Sequence, residues 1–170
     1  MSVQSRRTAL LLPVLVALFL LVAPAPQVLA QEKTLVWERF DTEIVVAPDG
    51  TFDVCERQGI YFTDGVFTFG YRNIPQQNFS YIDNWRVTDD AGNTYFEGGS
   101  GPYEFTVEQD SSGHTLRWYF PPIENDRTTY TICYTVHGGL RFYEGGDQVW
   151  WKAIYADRAY PVLDGSARVE

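Results

Sequence analysis

Alternation with a period of two is the feature that most limits what this chain can fold into. Apolar and polar side chains change places residue by residue in short runs, and turn residues separate the runs. A strand sends successive side chains to opposite faces, whereas an amphipathic helix repeats every 3.6 residues. No long stretch keeps the helical period. Phe40, Thr42, Ile44 and Val46 face one way; Asp41, Glu43 and Val45 face the other. Pro48-Asp49-Gly50 then makes a turn, since proline fixes φ and glycine accepts a positive φ. Phe52 and Val54 resume the alternation, so residues 36–47 and 51–62 are predicted to form a hairpin.

The same reading continues along the chain. Residues 65–75, with Gly65, Gly70 and Pro75, read as a looser segment. Tyr81–Thr88 is a strand closed by the turn Asp89-Asp90-Ala91-Gly92-Asn93, and Thr94–Glu97 is a short return strand. Tyr103, Phe105 and Val107 share a face, as do Leu116, Trp118 and Phe120. Pro121-Pro122 is expected to end the latter strand, because proline cannot donate to a ladder. Tyr130, Ile132, Tyr134 and Val136 mark the cleanest strand. Val149–Tyr155 reads as the last strong one, and Val162–Val169 as the beginning of another. Many short strands without intervening helices predict an all-β fold, an antiparallel β-sandwich.

The first 30 residues obey different rules. Arg6 and Arg7 precede an apolar run from Ala9 to Ala23, and Val28-Leu29-Ala30 sets small side chains where a signal peptidase cuts. A basic start, an apolar stretch of about 15 residues and a small-residue site define a secretory signal. An uncleaved anchor is the alternative, but a membrane span needs about 20 residues. The domain assignment is therefore a signal-peptide helix over 1–30 and an extracytoplasmic domain over 31–170, truncated at its C-terminus. The leader holds two of the 13 basic residues and none of the 22 acidic ones, which leaves the mature part at −11. Such a surface repels phosphate backbones and argues against nucleic acid as a partner.

Cys55 and Cys133 both lie on the polar phase of an alternating run, Cys55 between Phe52-Asp53-Val54 and Glu56, Cys133 between Ile132 and Tyr134. If their strands are neighbours, an oxidising compartment lets them join. Glu56 breaks the pattern by sitting on the apolar phase, two residues beyond Val54. A buried carboxylate needs a partner. Arg72 is the natural one, and the pair is read as a structural salt bridge pinning a loop to the sheet; a catalytic carboxylate is the lesser alternative.

Other chemistries find little support. His114 and His137, beside turns, read as surface residues and form neither a triad nor a zinc motif. Asp89, Asp90 and Asn93 hold calcium-type oxygens in one tight loop. They are equally the usual formers of a turn, so no metal and no cofactor is assigned. Paired carboxylates for glycoside hydrolysis are always available among 22 acids and carry no weight. Tyr119, Trp150 and Trp151 are candidate binding aromatics. Trp150 and Trp151 are adjacent in a strand, so they point to opposite faces.

Several motifs occur in a characteristic order: Val46-Ala47-Pro48-Asp49-Gly50 leading to Val54-Cys55-Glu56, then Gly70-Tyr71-Arg72-Asn73-Ile74-Pro75, Asp89-Asp90-Ala91-Gly92, Tyr130-Thr131-Ile132-Cys133-Tyr134 and Asp147-Gln148-Val149-Trp150-Trp151. In this order the chain resembles the N-terminal extracytoplasmic domain of the domain-of-unknown-function 2207 family, the YciQ-like predicted membrane proteins. The resemblance covers about residues 35–165. It implies a signal peptide, a β-rich outer domain and transmembrane helices further on, with no established activity. Two departures stand out: no apolar span follows Ala30, and Gln148 replaces a usually acidic residue. The expectation is a non-enzymatic structural or protein-interaction module, extracytoplasmic and either secreted or membrane-anchored through segments missing from this chain. Its partner would be a protein or an envelope component. A carbohydrate- or envelope-polymer-binding module is the alternative.

Overall fold

The computed structural model describes residues 32–155 and 158–170. The predicted signal-peptide helix and the cleavage after Ala30 fall outside these residues. Eleven strands follow in order: β1 Thr34–Val46, β2 Phe52–Asp64, β3 Phe67–Pro75, β4 Tyr81–Asp89, β5 Phe96–Glu97, β6 Glu104–Asp110, β7 Gly113–Ile123, β8 Asp126–His137, β9 Leu140–Arg141, β10 Gln148–Val149 and β11 Gly165–Val169. They build a five-stranded sheet in the order β11-β1-β2-β8-β4, a four-stranded sheet β3-β7-β6-β5, and the small pair β10-β9.

The β1–β2 hairpin forms as its alternation demands. Ala47 N donates to Thr51 O and Gly50 N to Ala47 O, with Gly50 at φ 86°. The Asp49 carboxylate closes the turn by accepting from the Thr51 amide and hydroxyl. One irregularity between Trp37 and Arg39 shifts the register of β1. This is how Leu35, at an odd position, and Phe40, at an even one, are both buried.

The inner faces of the two large sheets supply one hydrophobic core. Phe52, Val54, Ile132, Tyr134 and Val136 come from the first, and Ile74, Leu116, Trp118 and Phe120 from the second. Burying each large apolar side chain contributes about 1.5–3 kcal/mol. On the other face of the first sheet, Cys55 and Cys133 sit directly opposite one another on β2 and β8 and are joined by a disulfide.

The structure corrects several expectations. The pairing is mixed, because β11 runs parallel to β1 and β5 parallel to β6. Residues 67–75 are a regular strand and not a loose segment. Gly70 is there because the Trp118 indole lies on the backbone: an added Cβ would stand 2.3 Å from the ring. β7 runs through Pro121 and Pro122, which fall at a register shift against β3 and beyond the last residue paired with β6. No ladder bond is asked of their nitrogens. Residues 149–155 do not form a strong strand. Only Gln148 and Val149 pair, and Trp151 turns inward onto Phe52, Phe79 and Tyr134. The short return strand makes a single bridge, Thr88 to Thr94, before the chain joins β6 instead.

Candidate functional site

Halfway along β2 a polar cluster interrupts the apolar layer. Alternation carries Phe52, Val54, Glu56, Gln58, Ile60 and Phe62 to the inner face, and all are buried. Glu56 is fully buried and Arg72, on β3 of the facing sheet, is 6% exposed. Arg72 Nε donates to both Glu56 oxygens at 2.9 and 2.8 Å, and Nη2 donates to Oε1 at 2.7 Å. Gln58 Nε2 adds a bond to Oε2 at 3.1 Å, and the Tyr134 hydroxyl one to Oε1 at 2.8 Å. Trp37 Nε1 in turn donates to Gln58 Oε1 at 3.0 Å. The carboxylate is thus enclosed by charge-assisted bonds. The pair spans the two sheets; Arg72 is a strand residue, not part of a loop.

The electrostatics follow from this enclosure. Burial alone would lower the Arg72 pKa, but the Glu56 carboxylate outweighs it and raises the value above the ordinary one. Burial, then the Glu56 charge, pushes the Tyr134 phenol well above its usual range. Neither Arg72 nor Tyr134 changes charge near neutral pH.

Beside it the two sheets leave a cavity of about 530 Å³. Leu35, Ile60 and Phe62 line it from one sheet, Trp118 and Phe120 from the other. Tyr155, Arg158 and Tyr160 stand along one side. Tyr160 is held by its hydroxyl, which donates to Lys33 O at 2.8 Å. The Tyr155 ring lies 4.7 Å from the Arg72 guanidinium. Arg158 stacks between rings, 4.9 Å from Trp37 and 4.6 Å from Phe40. Burial, reinforced by the charge of Arg72, lowers its pKa.

The remaining candidate residues are dispersed. Trp150 is 62% exposed, while Trp151 is half-buried against core rings. Tyr119 is half-buried beside Phe69. The Asp89 carboxylate accepts from the Asn93 amide nitrogens and the Tyr95 hydroxyl. Asp90 instead accepts from Thr128 and Thr129. Their oxygens serve the turn and do not converge. His137 pairs with Asp83 at 2.9 Å and stacks on Tyr81. His114 is not a surface residue: it is buried against Phe79 and Trp85. Its even position on β7 puts it on the face of Leu116 and Trp118, a signal that its nearness to a turn concealed.

Sequence reasoning missed Gln58, Trp37, Tyr134 and Arg158. Gln58 was readable, being one alternation step beyond Glu56. Tyr134 follows from the cysteine register, which sets Cys55 opposite Cys133 and Tyr134 opposite Val54. Nothing in the sequence points to Arg158.

Among the described residues no helix is long and apolar enough to cross a membrane. No curated protein sequence matches the chain. Among solved structures it is similar to one described as "a putative protease from Parabacteroides distasonis ATCC 8503", with 7% identity and a TM-score of 0.35. That match covers 61% of this chain and 23% of the other, so the chain spans about a quarter of that protein's length. Residues 37–170 match the N-terminal domain described as predicted membrane protein DUF2207. With the ordered motifs, the all-β fold and this match over most of its length, the chain belongs to the DUF2207 family of predicted membrane proteins.

Proposed function

We propose that residues 31–170 form a β-sandwich domain outside the cytoplasm, anchored to the membrane in the full-length protein, and that it works by protein contact and not by catalysis. Three features support this reading. The two large sheets share one core, as a sandwich requires. The Cys55–Cys133 disulfide suits an oxidising compartment, the destination expected from the secretory pattern of residues 1–30. The most reactive groups are also engaged: both cysteines are joined, and Glu56 is enclosed by Arg72, Gln58 and Tyr134.

The observation that carries the contact role is β11. It forms one edge of the five-stranded sheet, and all five of its residues are exposed. Asp164 O accepts from Phe40 N, Glu170 N donates to Ile44 O, and Glu170 O accepts from Val46 N. Even-numbered backbone groups therefore face β1, and those of Gly165, Ala167 and Val169 face outward. An open edge accepts an extended segment from a partner as an added strand. Ala167→Pro removes an outward N–H without touching the β1 ladder. A photo-crosslinker at Ser166 in cells making the full-length protein should yield a discrete adduct, lost in Ala167→Pro at unchanged melting temperature. An adduct indifferent to the proline, or none, overturns the edge reading.

Carbohydrate or envelope-polymer binding is a second reading, supported by Trp150 at 62% exposure and by Phe142 and Tyr143, exposed at 69% and 55%. Trp151 is unsuited to it, being packed on core rings. Glycan-array binding lost in Trp150→Ala would favour this reading over the first.

A further inference from the structure

The inter-sheet cavity carries a charge opposite to that of the molecule around it. The chain bears a formal net charge of −9. Yet the cavity is lined by Lys33, Arg72 and Arg158 and by no aspartate or glutamate. Arg72 is neutralised by Glu56 from behind. Arg158 has no ion-pair partner among the described residues and is held only against the rings of Trp37 and Phe40. A half-buried guanidinium without a direct ion-pair partner is costly: burial and the Arg72 charge lower its pKa, and the more distant Glu56 charge offsets this only in part.

A second observation points the same way. Arg158 Nε and Trp118 Nε1 are both buried donors without an acceptor, and both residues line this cavity. Trp118 is only 2% exposed. Buried donors almost always find a partner, and two unmet donors on the wall of one cavity ask what would meet them. The rest of the wall is apolar and aromatic, with Leu35, Ile60, Phe62 and Phe120 forming its depth. Its volume lies within the range of small-molecule sites, about 300–1,000 Å³.

We propose that this cavity binds an anionic amphiphile: an apolar chain lies between the sheets, and a carboxylate or phosphate head accepts from Arg158. The apolar wall supplies affinity, and Arg158 selects the sign of the charge. A carboxylate matches a guanidinium fork with two parallel bonds. The site is separate from the β11 edge and does not rest on the protein-contact reading.

Titration calorimetry on the full chain tests this with three probes of equal tail: dodecanoate, dodecanol and dodecyltrimethylammonium. Dodecanoate should bind about tenfold or more tightly than dodecanol, a difference of about 1.4 kcal/mol, and the cation weakest. Arg158→Gln should bring dodecanoate to the level of dodecanol, and Arg158→Lys should restore part of the preference. Leu35→Phe, which fills the cavity with a larger apolar group, should weaken dodecanoate and dodecanol alike. Vesicles of phosphatidylcholine with phosphatidylglycerol separate the sources. Transfer of phosphatidylglycerol to the protein, competed by dodecanoate, identifies a membrane lipid; dodecanoate binding without transfer identifies a free anion. Equal affinity for dodecanoate and dodecanol, an unchanged Arg158→Gln variant, or no binding overturns the proposal.

Discussion

The space between the two large sheets ends differently in its two directions. At one end Phe52, Val54 and Val136 meet Phe79, Trp85, His114 and Trp151, and rings fill the volume. Trp151 meets three aromatic neighbours there at 5.7–5.9 Å. There a Cβ on Gly139 would come within 2.6 Å of the Phe52 ring. At the other end Leu35, Ile60, Phe62 and Trp118 line a cavity of about 530 Å³. The Glu56–Arg72 cluster stands between them. The two ends are made from the same strands, with the same alternation. The closed end is filled by loop residues from 79 and 151 that reach back over it. At the cavity the loop residues Tyr155, Arg158 and Tyr160 stand along one side without filling it, so the ends differ in how loop side chains meet the strands, not in the strand pattern.

This contrast can be broken or sharpened. The largest effect should come from the divider. Glu56→Leu leaves the Arg72 guanidinium buried without a partner and should cost about 3–5 kcal/mol in urea unfolding. The double variant Glu56→Leu/Arg72→Leu should recover most of that loss, since an apolar pair replaces both charges. If the double variant is as unstable as the single, the cluster does more than compensate its own burial. A smaller effect compares the ends directly. Val136→Phe adds volume where none is free and should cost about 1–3 kcal/mol. Leu35→Phe adds volume into the cavity and should be neutral or stabilising by up to about 2 kcal/mol. Equal losses in the two variants would erase the distinction.

The smallest effect is in pH. Burial at the closed end lowers the His114 pKa below its ordinary 6.5. The unfolded chain then binds the proton more readily than the folded one. Stability is complete above about pH 6.5 and falls as pH drops through the folded value. The urea midpoint should therefore decline between about pH 7 and pH 5, and His114→Phe should flatten that decline. The lowered carboxyls of Asp41, Asp49 and Asp110 act only further down, below their ordinary 3.8. A wild-type midpoint as flat as that of the variant would show that His114 is not shut off from water.

Alternation made much of this legible. The β1–β2 hairpin falls within two residues of its predicted bounds, because a strong turn and two clean strands agree locally. The inward phase of Glu56 pointed to a buried carboxylate, and the structure puts Arg72 beside it. What stayed hidden depends on partners distant in sequence. Gly70 reads as looseness until Trp118 is seen lying on it. Pro121 and Pro122 read as a stop unless one knows that β6 has already ended its pairing. Arg158 lies outside any strand, and its importance comes only from what surrounds it. The parallel placement of β11 is likewise a matter of topology, which periodicity does not carry.

That parallel pair also has a mechanical meaning. β1 and β11 run the same way at the edge of one sheet, Phe40 opposite Gly165 through Ile44 opposite Val169. A pull that separates Glu32 from Glu170 slides these strands lengthwise past each other. All their hydrogen bonds then bear the load together, where a peeling pull would break them one at a time. Should that clamp give way, the disulfide stops the unravelling from running through the molecule. Cys55 and Cys133 are 78 residues apart in the chain, so roughly 260 Å of potential extension stays locked at an extended length of about 3.3–3.6 Å per residue. Any lengthening then comes only from the segments outside the disulfide loop, before Cys55 and after Cys133.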